Sequence, residues 1–266
     1  LIALKFNGVH SDACSDTQLL LQGAAIISPA RAACAGFAND CEDLSIMNVL
    51  AEARQNMVDS QLRPTRVTDP HILAAMAELP RERFVPKSKQ GTAYIDEDIE
   101  VAPGRYLMEP VVLARLLQAL ELTSETNVLN IGCATGYDAA LLGRLAGSVV
   151  AIESDPVLKA QASEAINELA IDNVAVIEAP LDRGYAAQAP YDAIFISGAV
   201  DEVPAALSDE LAPDGRLAVV IGGGENGVLC RAHLYVRSGA TLSSRPLFDA
   251  GTHMLPGFVR AESFVF

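Results

Sequence analysis

Residues 127–146, NVLNIGCATGYDAALLGRLA, hold the reading that decides the fold. NVLNI is a short apolar run of strand length, and DAALLGRLA behind it is amphipathic at helical spacing. Between them, GCATGY (Gly132 to Tyr137) is a glycine-rich turn in which bare backbone lets a ligand approach closely. A helix that starts directly after such a turn points its first amides at whatever lies over it. The next apolar run, VVAIES, ends at Glu153, about 20 residues beyond Gly132. An acid at that distance sits at the tip of the adjacent strand, where it can accept both hydroxyls of a ribose.

Outward from this unit the pattern repeats. VVAIES, VAVIE, DAIFISGA and RLAVVIG read as strands, and PVLKAQASEAINELA and PAALSDELA as helices between them. Strands apolar on both faces and separated by helices predict a parallel α/β sheet covered on both sides. VLCRAHLYVRSGATLSSRPLF alternates at period two, with Val228, Cys230, Ala232, Leu234 and Val236 on one face and Ser238-Gly239 as a turn. It predicts an antiparallel hairpin at the C-terminal edge of the sheet. Upstream, MNVLAEARQNMVDSQL and TDPHILAAMAEL are helical, the second opened by Asp69-Pro70. PRERFVPKSKQGTAYIDEDIEVAPGRYLMEP then reads as a loop-rich stretch of about 30 residues, a length that in a compact domain points to function. PVVLARLLQALEL follows as a helix opened by Pro110, with Leu113, Leu116, Leu117 and Leu120 on one face.

Composition narrows the partners. Half of the 266 residues are hydrophobic, a fifth are charged, and the formal net charge is −15 with no basic cluster. Nucleic acid and anionic membrane surfaces are therefore poor partners, and no apolar run approaches the roughly 18 residues of a membrane-spanning helix. The five cysteines (Cys14, Cys34, Cys41, Cys133 and Cys230) show no CxxC pairing. That argues against a zinc site or disulfide framework and fits a reducing cytoplasm. The four histidines, His10, His71, His233 and His253, are scattered and read as structural. Cys133 reads as a small filler in the turn, since no histidine lies near it in sequence to activate it. Residues 1–46 lack a clear period and read as an extension, either poorly ordered or translated from upstream. A packed appendage and a secretion signal are the competing readings. Residues 47–110 form an N-terminal helical and substrate-loop region, and residues 111–266 the ligand-binding domain. A monomer is the expected state.

Two ligand classes suit a glycine turn followed by a distal acid. A dinucleotide calls for GxGxxG, but Ala134 and Tyr137 stand where two of its glycines belong. S-adenosylmethionine carries no phosphate and fits GxxxG with an acid at the next strand tip. A tight turn with no ligand is the remaining reading.

From LAAMAELPRERFVP through AYID, GYDAALLGRL, VVAIESD, NVAVIEAPLDRGYAAQAPYDAIFISGA and VPAALSDELAPDGRLAVVIG, the chain resembles the protein-L-isoaspartate O-methyltransferases. The likeness runs from about Met47 to Gly224. It implies a Rossmann-like seven-stranded, mostly parallel sheet with helices on both faces and an N-terminal helical addition. It implies S-adenosyl-L-methionine as cofactor, and methylation of L-isoaspartyl and D-aspartyl residues in damaged proteins, which would be its substrates. By that resemblance Gly132, Cys133, Ala134, Gly136 and Tyr137 line the cofactor, Glu153 holds its ribose, and Pro180 and Leu181 frame the adenine. The chain departs from the family at Asn130, usually acidic, and at Ala179-Pro180-Leu181, usually GDG.

The larger departure is GRYLMEP (Gly104 to Pro110), where the family typically reads GQTISQP. Met108 replaces the serine that orients the substrate carboxylate. Arg105 is the expected substitute, because a guanidinium grips a carboxylate with two parallel hydrogen bonds; a surface arginine is the alternative. Tyr106 and Met108 read as loop packing or as lining of a reshaped pocket, and Asp96 as a holder of the substrate backbone or a structural residue. The altered loop leaves open a divergent methyltransferase with another substrate, or a cofactor-binding protein without catalysis. A dehydrogenase is the weakest alternative.

Overall fold

The computed structural model describes residues 47–222, 230–239 and 241–258. The readings made on residues 1–46 and on Val228 lie outside the described residues. Helical residues 47–57 (α1) run into a π-helical turn at Val58–Leu62. Helix α2, Pro70–Glu78, is capped by Asp69, whose carboxylate accepts the His71 and Ile72 amides. An Asp cap followed by Pro at the first helical position satisfies the amides that helix geometry leaves orphaned.

The stretch from Pro80 to Pro110 is more ordered than a loop. Two 3-10 turns, Arg81–Phe84 and Lys87–Thr92, lead into strand β1, Ile99–Ala102, which pairs antiparallel with β2, Arg105–Leu107. Gly104, at φ +69°, makes the tight reversal between them. GRYLMEP is therefore a turn, a strand and the lead-in to helix α3, Pro110–Leu120. The α3 face of Leu113, Leu116, Leu117 and Leu120 is buried.

The main sheet is built from β3, Asn127–Ile131; β4, Ser148–Glu153; β5, Val174–Glu178; β6, Tyr191–Val200; β7, Leu211–Ile221; β8, Arg231–Ser238; and β9, Thr241–Asp249. Helices α4, Tyr137–Leu145, α5, Pro156–Glu168, and the short α6, Ala205–Asp209, connect the parallel strands. The order is β5-β4-β3-β6-β7-β8-β9, parallel through β7 and antiparallel across β7/β8 and β8/β9. Alternate residues of one strand feed opposite cores. Val128 and Phe195 pack on one face; Leu129, Ile131, Ile194 and Ile196 pack on the other. On the closing hairpin, Ala232 and Leu234 are buried and Cys230 and Val236 half-buried, as the alternation requires.

The order in which successive strands are added reverses between the parallel neighbours β3 and β6. In open parallel sheets the crevice beyond the carboxyl ends of such a pair is where ligands bind. Gly132 follows β3 there, and Gly136 opens α4 at φ +97°. A side chain at Gly136 would stand 3.1 Å from the Ala162 Cα, so glycine is what lets α5 pack against this turn.

Candidate functional site

Glu153, at the tip of β4, is the hub of the crevice, and it is fully buried. Its Oε1 accepts the amides of Ser154 and Asp155, at 2.8 and 3.1 Å, and a bond from Arg105 Nη1. Its Oε2 accepts the Ala134 amide at 2.8 Å and Arg105 Nη2 at 2.6 Å. Arg105 Nη2 also donates to the Gly132 carbonyl at 3.2 Å, while its Nε is buried with no partner. The first residue of β2 is thus clamped onto the glycine turn.

In this conformation Arg105 is buried and points at Glu153 rather than toward an incoming carboxylate. Its fork is consumed by Glu153, an acid the chain itself supplies. Met108 is likewise turned inward: its side chain is buried in the main core and its carbonyl accepts Arg81 Nη2 at 2.8 Å. Asp96 is exposed and its Oδ1 accepts the Val111 amide at 3.1 Å, which steadies the first turn of α3.

The turn residues are brought together. Cys133 and Ala134 are buried, and burial, with Glu153 adding, raises the Cys133 thiol far above its ordinary range, so it is a neutral filler. The Tyr137 ring meets Phe84 edge-on at 5.3 Å and lies 4.8 Å from the Arg81 guanidinium. Burial pushes its phenol up to about 12. Leu181 is buried in the second core cluster, whereas Pro180 is exposed.

Several residues of this region were not singled out from sequence. Leu255 lies over the glycines: a side chain added at Gly132 would come within 2.9 Å of it, and one at Gly198 within 2.6 Å. It is held by backbone bonds on both sides of Ala199, whose amide donates to the His253 carbonyl and whose carbonyl accepts the Leu255 amide, both at 2.9 Å. Asp98 joins this segment to the β1–β2 hairpin. Its Oδ1 accepts the Glu109 amide; its Oδ2 accepts from Thr252 Oγ1 at 2.7 Å and the His253 amide at 3.1 Å, and lies 3.0 Å from His253 Nδ1. The Tyr106 ring stacks flat on His253 at 3.5 Å. Nothing periodic in the sequence announces contacts this distant along the chain. Among the described residues no group of His, Cys, Asp and Glu has the arrangement of a metal site.

Beneath the turn, Asn130 Nδ2 donates to Ser197 Oγ at 2.8 Å, and Asp138 is buried beside them. Burial, outweighing a hydrogen bond from Ser197, raises the Asp138 carboxyl from 3.8 to about 6. The folded state therefore holds this proton more tightly than the unfolded chain. The resulting stabilisation is complete below about pH 4 and is lost as pH rises through about 6. Asp138→Asn is expected to leave the melting temperature nearly unchanged at pH 4 and to raise it at pH 8, by the equivalent of about 1–3 kcal/mol. Melting curves at the two pH values check this; equal shifts at both would contradict it.

Comparison with known proteins agrees with this architecture. The family model for protein-L-isoaspartate(D-aspartate) O-methyltransferase matches residues 52–240. A protein-L-isoaspartate O-methyltransferase of Methanoregula boonei is 39% identical over 173 residues, which span 65% of this chain and 80% of that protein. A solved protein-L-isoaspartate O-methyltransferase superposes with a TM-score of 0.66 at 26% identity, covering 76% of this chain and 66% of that one. A Plasmodium falciparum structure with S-adenosyl-L-homocysteine bound shares the fold at a TM-score of 0.60 and 19% identity, covering 75% of this chain and 96% of that one. With the glycine turn and strand-tip acid at the switch point of a seven-stranded sheet, the chain belongs to the protein-L-isoaspartate(D-aspartate) O-methyltransferase family.

Proposed function

We propose that this protein is an S-adenosylmethionine-dependent carboxyl methyltransferase acting on L-isoaspartyl residues, and on D-aspartyl residues, of damaged proteins. The single observation that carries the reading is Glu153 facing the Gly132 turn at the β3/β6 switch point, in a chain of this family. The residue types suit the cofactor. Gly132 and Gly136 expose backbone, Glu153 is the acid for ribose hydroxyls, and Leu181 is the apolar neighbour. The space does not suit it in this conformation, because Leu255 fills the room over Gly132 and Gly198 and Arg105 occupies both oxygens of Glu153.

The cofactor supplies an electrophilic methyl group. On the substrate side, a carboxylate is already ionised at pH 7 and needs no general base. The protein's task is to hold one carboxylate oxygen in line, and that positioning contributes several kcal/mol. The rim available for it is acidic. Glu109, half-buried behind Asp96, Asp98 and Glu97, has its carboxyl raised to about 7, first by burial and then by those three neighbours. A carboxylate entering here meets repulsion unless a cation receives it. We place the enzyme in the cytoplasm as a monomer, where a formal net charge of −15 suits a protein that diffuses freely among its substrates.

The test is transfer of labelled methyl from S-adenosylmethionine to an isoaspartyl peptide, run beside its aspartyl twin. Selective labelling of the isoaspartyl form is expected. Bound cofactor with no labelling of either peptide would overturn the substrate assignment.

A further inference from the structure

We propose that Arg105 is an exchange residue: it fills the ribose position on Glu153 in the cofactor-free enzyme and is released, when cofactor takes Glu153, to receive the substrate carboxylate. The inference rests on the function proposed above and assigns that site an order of binding. Cofactor must come first, because the arginine that receives the substrate is otherwise held inside.

Four observations meet in it. Every acceptor position on Glu153 is taken, and two of the five donors are the Arg105 fork. Ribose hydroxyls can reach this carboxylate only by replacing the guanidinium, since the other three donors are backbone amides fixed by the turns that carry them. Arg105 Nε is buried without a partner, so the held state leaves one donor unsatisfied and is poised for exchange rather than locked. Next, the parts that must move are joined: Asp98 and Tyr106 of the hairpin region grip His253, two residues from the Leu255 that covers the glycines. Withdrawing Arg105 and lifting Leu255 is therefore one motion of the β1–β2 hairpin with the 252–255 segment. Finally, the rim beside the hairpin is acidic, with Asp96, Glu97 and Asp98 grouped around Glu109. Arg105 is the cation whose release changes the charge met by an incoming carboxylate.

When one ligand frees the residue that the other binds, the two are thermodynamically coupled, each raising the affinity of the other by the same factor. The test is calorimetry on the intact protein with S-adenosylhomocysteine and an isoaspartyl peptide, separately and together. The peptide is expected to bind at least tenfold more tightly with S-adenosylhomocysteine present. Leu255→Ala, which removes the cover without touching the ion pair, is expected to tighten S-adenosylhomocysteine binding severalfold. Arg105→Lys keeps the charge and loses the fork. It is expected to bind S-adenosylhomocysteine more tightly than wild type while losing most of the preference for the isoaspartyl peptide over its aspartyl twin. Hydrogen exchange of the wild type reads the motion directly, and residues 99–107 and 252–255 are expected to exchange faster together once ligand is bound. If wild type binds S-adenosylhomocysteine and methylates the peptide, yet peptide affinity is independent of ligand and Arg105→Lys alters neither constant, the exchange is overturned and the enzymatic reading stands. If neither wild type nor Leu255→Ala binds S-adenosylhomocysteine, both fall.

Discussion

Glu153→Gln is expected to destabilise the protein by about 3–5 kcal/mol and to weaken S-adenosylhomocysteine binding on the order of 100-fold. The substitution is nearly isosteric, so volume plays no part. All five partners of this side chain are donors: the Ala134, Ser154 and Asp155 amides and the two terminal nitrogens of Arg105. A glutamine has one acceptor oxygen and one NH2, and every orientation turns that NH2 against a donor. Arg105, only 5% exposed, is then a buried cation without its counter-charge, the situation in which a broken ion pair is most damaging. A protein of ordinary stability has 5–15 kcal/mol in total, so the variant is expected to unfold at much lower urea. The companion Arg105→Met, Glu153→Gln double variant removes the stranded charge and should recover part of the loss, giving a coupling of about 2 kcal/mol or more in the cycle. Additive single effects would mean that the two side chains are not energetically coupled.

The sequence shows one side of this pair plainly and conceals the other. Glu153 is readable because strand, glycine turn, helix and acid follow one another within a single β-α-β unit, where local periodicity is strong. The parallel sheet is readable for the same reason, and the edge hairpin follows from the alternation of Ala232, Leu234 and Val236. Arg105 is different. Its chemistry announces a carboxylate partner, but the partner lies 48 residues away and is placed by the fold. The β1–β2 hairpin that aims it is short, and only the Pro103-Gly104 turn between IEVA and RYL betrays it. Leu255 and His253 are harder still, because a segment that docks by two backbone bonds at Ala199 has no period to read. Met108, read from sequence as loop packing or as lining of a reshaped pocket, turns its side chain into the core. The core of a Rossmann-like sheet is written in local patterns; the closure of its ligand crevice is written in contacts between distant segments.

Arg81→Ala is the second substitution expected to have a large effect, about 3–5 kcal/mol of lost stability. Arg81 is fully buried, and among the described residues no carboxylate pairs with it. It works through carbonyls instead: Nε donates to Ala93 and Nη2 to Met108, both at 2.8 Å, and the guanidinium lies over the Tyr137 ring. One side chain thus ties the start of the first 3-10 turn to the end of β2 and to the first residue of α4. Truncation leaves two carbonyls without donors and a void the size of the lost side chain, and both effects act in the same direction. Arg81→Lys separates them. It retains the charge and most of the volume but reaches one carbonyl, so about 1–2 kcal/mol should be lost. Arg81→Met retains volume and removes the buried charge, which offsets part of the damage of the orphaned carbonyls. The expected order of urea midpoints is wild type, then Lys and Met, then Ala. Because Met108 is the anchored end of the strand that aims Arg105, the looser variants should also show faster hydrogen exchange across 105–108. A large loss of stability with unchanged exchange there would mean that Arg81 serves the core alone and leaves the hairpin to hold itself.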